Sequence, residues 1–143
     1  MVQWVGNLSV FDTYMKRGVF HMKMKYTILY VNDVESSIHF YQQVLGFPIK
    51  LRVESYVEFD TGDAINSRQD VKEALGLPVP EANQMSQTFE IGFVVDDVEQ
   101  TIASMKEKGV SIIKEPAKKT WGQTVAYVSD PDGHFIEICD ATS

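Results

Sequence analysis

Residues 31–35 read VNDVE and residues 95–99 read VDDVE. Each pentapeptide closes an apolar run with strand character, Lys25–Val31 (KYTILYV) and Thr88–Val95 (TFEIGFVV), and opens an amphipathic one. An Asp or Asn just past a strand is a helix N-cap signal, because its side-chain oxygen accepts a free amide of the first turn. Behind Asp33 the apolar residues Val34, Ile38, Tyr41 and Leu45 fall on one helical stripe, widened by Phe40 and Val44, and Gly46 ends it. Behind Asp97 the stripe is Val98, Ile102 and Met105, and Gly109 ends it. One strand–helix unit therefore occurs twice in the chain.

The repeat extends further. After the first helix, Phe47–Arg52 and Tyr56–Asp60 read as strands, Thr61-Gly62-Asp63 as a turn and Ala64–Ser67 as a return strand. After the second, Val110–Lys114 reads as a strand, Glu115–Lys119 as a loop around Pro116, and Trp121–Val128 as a strand. Asp130-Pro131-Asp132-Gly133 is strong turn chemistry. It joins Thr124–Ser129 to Phe135–Cys139 as a hairpin. Aligned as copies, Tyr56–Asn66 falls on Thr124–Glu137, which sets Glu58 against Ala126.

Each copy is then β-α-β-β-β, too small to bury its sheet alone. The fold expected is α+β: two tandem βαβββ modules forming a curved mixed sheet around a central cleft, with helices outside. The modules span about 24–67 and 88–140 within a domain at 24–143, and residues 68–87 link them. In the linker, Gln69–Leu75 can form a short helix stopped by Gly76, with Pro78 and Pro80 after it. Its tail, Asn83, Gln84 and Met85, is either a flap over the cavity or plain surface. Residues 1–23 read as an extension preceding the domain, or as an arm that docks on a partner subunit through Trp4, Val10, Phe11 and Phe20. The charges Asp12, Lys16 and Arg17 do not suit a signal peptide.

The chain has 143 residues, 44% apolar and 23% charged, which suits one globular domain with a real core. A net charge of −7 argues against nucleic acid and anionic membranes, since no basic patch is available to neutralise phosphates. No apolar run approaches a membrane span. The single cysteine, Cys139, excludes a disulfide within the chain and fits a reducing cytoplasm. On a buried strand it reads as a small inert hydrophobe.

Glu137 stands between Ile136 and Ile138 and shares a strand face with Phe135 and Cys139, so its carboxylate is expected in a partly apolar cavity. Glu58 lies mid-strand and either lines the pocket or pairs on the surface with Arg52 or Arg68. His39 lies off the helical stripe and reads as solvated; His134 reads as a hydrogen-bonding turn residue. No Ser-His-Asp or Cys-His grouping and no glycine-rich phosphate loop is present.

With these pieces in order, the chain resembles the vicinal-oxygen-chelate superfamily of glyoxalase I, bleomycin- and fosfomycin-resistance proteins and extradiol dioxygenases. The resemblance rests on VNDVESSIHFYQQVLGF (31–47), YVEFDTG (56–62), FEIGFVVDDVEQTI (89–102) and YVSDPDGHFIEI (127–138). It implies a small-molecule ligand, a homodimer and, in many members, one divalent metal (Mg, Mn, Zn or Ni). Ligands would come from the first and last strand of each module, carrying over to Tyr26, Asn66, Glu90 and Glu137. Glu90 and Glu137 would also be the catalytic acids. Histidine is absent where it is usual, so an all-oxygen set favouring hard cations would remain. Glu58, Trp121, Phe93 and Phe135 are the candidate substrate contacts, with Trp121 either at the cavity mouth or sealing a sheet edge. Two functions follow. One is lyase-, isomerase- or dioxygenase-like chemistry, with a carboxylate as base. The other is metal-free sequestration of a cationic aromatic drug. Glutathione use is not supported, because no arginine cluster is present.

Overall fold

The structure is a computed structural model that describes residue 22 and residues 24–81 and 89–141. Most of the expected N-terminal extension and the proposed flap at 83–85 lie outside the described residues. The order is β1 (Thr27–Val31), α1 (Val34–Ile38), β2 (Ile49–Val53), β3 (Tyr56–Phe59), β4 (Asp63–Ser67) and α2 (Arg68–Leu75). There follow β5 (Glu90–Val94), α3 (Val98–Glu107), β6 (Ser111–Lys118), β7 (Thr124–Ser129) and β8 (Phe135–Cys139). No helix among the described residues is long and apolar enough to cross a membrane.

The two caps form as the repeat implies. Asp33 Oδ1 accepts the Ser36 amide at 3.1 Å and Asp97 Oδ1 the Gln100 amide at 2.9 Å. The first helix, expected regular to Leu45, widens into a π-helical turn over His39–Val44. Both consecutive aromatics in that turn, Phe40 and Tyr41, are buried. The linker helix α2 is capped by the Ser67 side chain and ends at Gly76, whose φ of 67° needs a residue without Cβ strain.

Two four-stranded sheets result, ordered β1-β4-β3-β2 and β5-β8-β7-β6. β1 runs parallel to β4 and β5 to β8; the other pairs are antiparallel. The expected loop at Glu115–Lys119 is instead largely strand: β6 continues to Lys118 through Pro116. β6 is a sheet edge, and its register on β7 shifts between Lys114 and Ala117, so the missing proline N–H breaks no regular ladder.

Register also corrects the alignment of the copies. Ile28 pairs with Ala64, and its counterpart Gly92 pairs with Glu137. Ala64 is therefore the counterpart of Glu137, while Asn66, opposite Tyr30, corresponds to Cys139, opposite Val94. Glu58 faces Ala64 as Tyr127 faces Glu137, so its counterpart is Tyr127 and not Ala126. The mismatch at Glu58 is one residue and precedes the Asp-Pro-Asp-Gly turn; the mismatch at Asn66 is two residues and follows it.

Strand alternation sorts the side chains. Leu29, Val31, Val57, Phe59 and Ile65 of the first sheet pack with Ile38, Phe40 and Tyr41. Ala126, Val128, Ile136 and Ile138 of the second pack with Val98, Ile102 and Met105 in the same continuous cluster. Fully burying such a side chain stabilises by about 1.5–3 kcal/mol. The Phe47 and Phe93 rings, 5.0 Å apart, join the modules. The opposite sheet faces carry Tyr26, Tyr56 and Glu58 in one module and Glu90, Tyr127 and Glu137 in the other. They are open: Leu51, Val53 and Val94 are 48%, 55% and 67% exposed.

Candidate functional site

In the second module, Tyr127 Oη–H donates to Glu137 Oε2 at 3.0 Å. β7 and β8 place these two residues directly opposite one another. Glu137 is half-buried; Glu90, at the start of β5, is exposed. Gly92 lies opposite Glu137, and a Cβ on it would stand 3.4 Å from Glu137 Oε1, so the carboxylate lies across bare backbone. Burial, then the hydrogen bond to Glu137, then the charge of Glu90 push the Tyr127 phenol up to about 12. Tyr127 is thus a firmly protonated donor held between two acids.

The first module carries a related pair. Tyr56 Oη–H donates to Glu58 Oε2 at 3.0 Å, and the Tyr26 ring meets Tyr56 edge-on at 6.2 Å. Burial, followed by the bond to Glu58, pushes Tyr56 up to about 12. Glu58 is buried on this face and is paired with Lys50 Nζ at 3.5 Å. The alternatives raised for it, Arg52 and Arg68, are engaged elsewhere: Arg52 with Glu35, and Arg68 with Asn32 Oδ1 at 3.0 Å. Among the described residues no hydrogen bond or ion pair links the two tyrosine–glutamate pairs.

The remaining sequence candidates separate. Phe135 shares the face of Glu90 and Glu137 and is half-buried. Trp121 is 64% exposed beside the β6–β7 turn, its indole N–H donating to Gln123 Oε1 at 3.0 Å. Phe93 lies on the opposite face, against Phe47. Asn66 Oδ1 accepts from Ser55 Oγ at 2.9 Å and the Ser67 amide at 2.9 Å, so the oxygen proposed as a metal ligand is already used. Cys139 is buried, and burial pushes its thiol up to about 11, as suits an inert residue.

A resident divalent ion fits this donor set poorly. The four register-equivalent places hold Tyr26, Ala64, Glu90 and Glu137, with no imidazole and an alanine at one corner. Two carboxylates and a phenol are a weak set even for hard cations.

A second acidic group, Asp130, Asp132 and His134, is buried in the last turn, with ligand atoms within 4.8 Å of one another. Sequence reading treated this stretch as turn chemistry alone. Asp130 Oδ2 accepts from Tyr41 Oη at 2.8 Å and lies 2.7 Å from His134 Nδ1. Its Oδ1 accepts the amides of Asp132 and His134 at 3.0 and 2.8 Å. With both oxygens doubly bonded, the group is a hydrogen-bonded clamp beneath Tyr41 and not an open ligand set. Only the long-range partner Tyr41 reveals this, and no local sequence signal names it.

Neither of two grooves is lined by Glu58, Glu90 or Glu137. A groove of about 590 Å³ runs between α1 and the end of α3, past His39 and Pro131. Another, of about 430 Å³, follows the seam between β1 and β5. The tyrosine–glutamate faces are open surfaces, and their chemistry is a better guide to function than concavity in one chain.

The family model described as "Glyoxalase-like domain" matches residues 24–143. The uncharacterized protein YraH of Bacillus subtilis (strain 168) is 36% identical over 124 residues, covering 82% of this chain and 97% of that protein. A lactoylglutathione lyase of Neisseria meningitidis is 30% identical, covering 85% and 93%. The phenazine antibiotic resistance protein EhpR of Enterobacter agglomerans is 29% identical, covering 78% and 87%. Among solved structures, a protein of unknown function from Agrobacterium tumefaciens superposes with a TM-score of 0.74 at 29% identity, covering 85% and 96%. The doubled module, its strand order and these matches agree: the chain belongs to the glyoxalase-like domain family, within the vicinal-oxygen-chelate superfamily.

Proposed function

We propose that the protein binds a small, planar, cationic organic molecule against its tyrosine–glutamate faces, without a resident metal. The observation that carries this reading is the Tyr127–Glu137 pair with Glu90 beside it. It supplies negative charge, a fixed phenol donor and, in Phe135, an aromatic ring on the same face. Carboxylates attract a ligand cation, and ring faces add stacking and cation–π attraction. The likeness to a phenazine resistance protein supports the ligand class. Trp121, exposed near the end of the second sheet, is a further stacking surface.

The open faces suit a homodimer. A second copy laid with its first module over the second module of its mate would cover Leu51, Val53 and Val94. It would also set Tyr56–Glu58 across from Tyr127–Glu137 around one shared hollow. Exposed apolar patches of this kind mark interaction surfaces.

The test is binding of N-methylphenazinium and of neutral phenazine, followed by tryptophan fluorescence, with and without added Mg, Mn, Zn or Ni. Saturable binding of the cation, tighter than that of the neutral ring and indifferent to metal, is expected. Tyr127→Phe and Glu137→Gln should each weaken it about tenfold. Binding that appears only with an added ion, or no binding of either probe, overturns the reading.

The likeness to a lactoylglutathione lyase favours a second reading on the same residues. Glu137 would take a proton from a carbon beside a carbonyl, with Tyr127 steadying the oxygen that gains charge. Exchange of that proton into deuterated water, lost in Glu137→Gln, would establish it.

A further inference from the structure

The seam groove contains an acid that nothing above uses. Asp63 opens β4 on the core side of its strand, the position held in the second module by the buried Ile136. It is 4% exposed. Thr61 Oγ1–H donates to its Oδ1, while Oδ2 is buried with no hydrogen-bond partner among the described residues. A buried carboxylate oxygen is almost always satisfied, so an orphan one asks for an explanation. Asp63 lines the groove of about 430 Å³ between β1 and β5, whose apolar wall includes Ile91 and Phe93. The cation of the groove, Lys25, does not reach the acid: its Nζ stands over the Tyr26 ring, 5.2 Å from the centroid. The groove thus has in its wall a buried carboxyl with one oxygen unpartnered among the described residues, flanked by the apolar side chains of Ile91 and Phe93.

We propose that this seam groove is a second ligand site, distinct from the tyrosine–glutamate faces, which takes a small primary ammonium carried on an apolar or aromatic body. Asp63 receives the ammonium, and Ile91 and Phe93 receive the body. The volume suits a small organic molecule. A bare metal ion does not suit it, because one carboxylate and one hydroxyl fall well short of the six or more oxygens a hard cation needs. A neutral isostere keeps the apolar contacts but leaves the acid unpaired, so charge should decide affinity.

The experiment titrates phenethylammonium and 2-phenylethanol into the full chain, following amide shifts by NMR and heat by calorimetry. Expected are shifts at Thr27, Gly62, Asp63 and Ile91 with phenethylammonium, and affinity at least tenfold weaker for the alcohol. Asp63→Asn should abolish the preference for the amine, while Glu137→Gln leaves it intact. Equal affinity for the two compounds, or no binding of either, overturns the proposal using the unaltered protein alone. Loss of the preference in Glu137→Gln with retention in Asp63→Asn also overturns it, by assigning the cation to the other face. Failure of N-methylphenazinium binding bears on that other face and leaves this result standing.

Discussion

Asp132 Oδ1 accepts the backbone N–H of Asn32 at 2.8 Å, tying the last turn of the second module to the strand–helix junction of the first. Ser37 Oγ, at 3.5 Å from Oδ2, and the Tyr41–Asp130 bond support the same joint. Asp132→Ala leaves a partly buried amide and hydroxyl without their acceptor. It should destabilise the fold by about 1–3 kcal/mol, read as a lower urea midpoint. A change within about 0.5 kcal/mol, the range of an ordinary surface substitution, would show that the joint does not hold the modules.

Asp63 gives a pH-dependent prediction. Burial raises its carboxyl above the ordinary 3.8, and the Thr61 bond only partly offsets this. The folded chain therefore holds this proton to a higher pH than the unfolded chain does. The destabilisation is absent below 3.8 and grows as pH rises through the raised folded value. Asp63→Asn should be more stable than the parent at neutral pH by about 1 kcal/mol. The gap should close on acidification, as followed by urea melts across the acid range.

Tyr56 and Tyr127 should ionise late. Both phenols are pushed up to about 12 from the ordinary 10.0, first by burial and then by their glutamate acceptors. The stability they contribute is complete below pH 10.0 and is lost as pH rises through the folded values. Absorbance titration of tyrosinate should show two late-ionising groups beyond Tyr41, and one fewer in Tyr127→Phe. In Glu137→Gln the Tyr127 midpoint should fall. An unmoved midpoint would mean that burial alone holds it.

Gly92 sets how close the second sheet comes to its own acid. Gly92→Ala puts a methyl 3.4 Å from Glu137 Oε1, a contact the structure can take. Gly92→Phe displaces the carboxylate. The alanine variant should melt near the parent and bind N-methylphenazinium within a few-fold, and the phenylalanine variant should bind at least tenfold more weakly. Equal binding by both would place the ligand away from Glu137.

Val53, 55% exposed on the first open face, tests the dimer. Val53→Glu buries a charge only if a second copy covers it. Light scattering should report a dimer for the parent and a monomer for the variant, with single-chain stability changed by about 0.5 kcal/mol or less. A monomeric parent at high micromolar concentration would reject the pairing.

Much of the fold is legible because its signals are local. The Asp33 and Asp97 caps, the helical stripes behind them and the Asp-Pro-Asp-Gly hairpin are short-range chemistry, and each formed where the residues indicate. The continuation of β6 through Pro116 was hidden because an edge strand tolerates a missing donor that a central strand would not. At the site, alternation places Glu137 on one face with Phe135, while Glu90 was implied only by the family resemblance and joins that face through the β5–β8 register. The choice of Asn66 as their counterpart did not survive, because a two-residue error in aligning the turns preserves the face while exchanging Ala64 for Asn66.

The amino-acid sequence by itself determined the doubled βαβββ plan, its caps and the parity of each strand, since periodicity and turn chemistry act over a few residues. Only the tertiary structure decided that Tyr127 holds Glu137, that Tyr41 rests on Asp130, and that Asp63 lies buried with one oxygen unpaired among the described residues. Those relationships depend on register and packing between strands far apart in the chain. A shift of register changes every partner without altering any local signal.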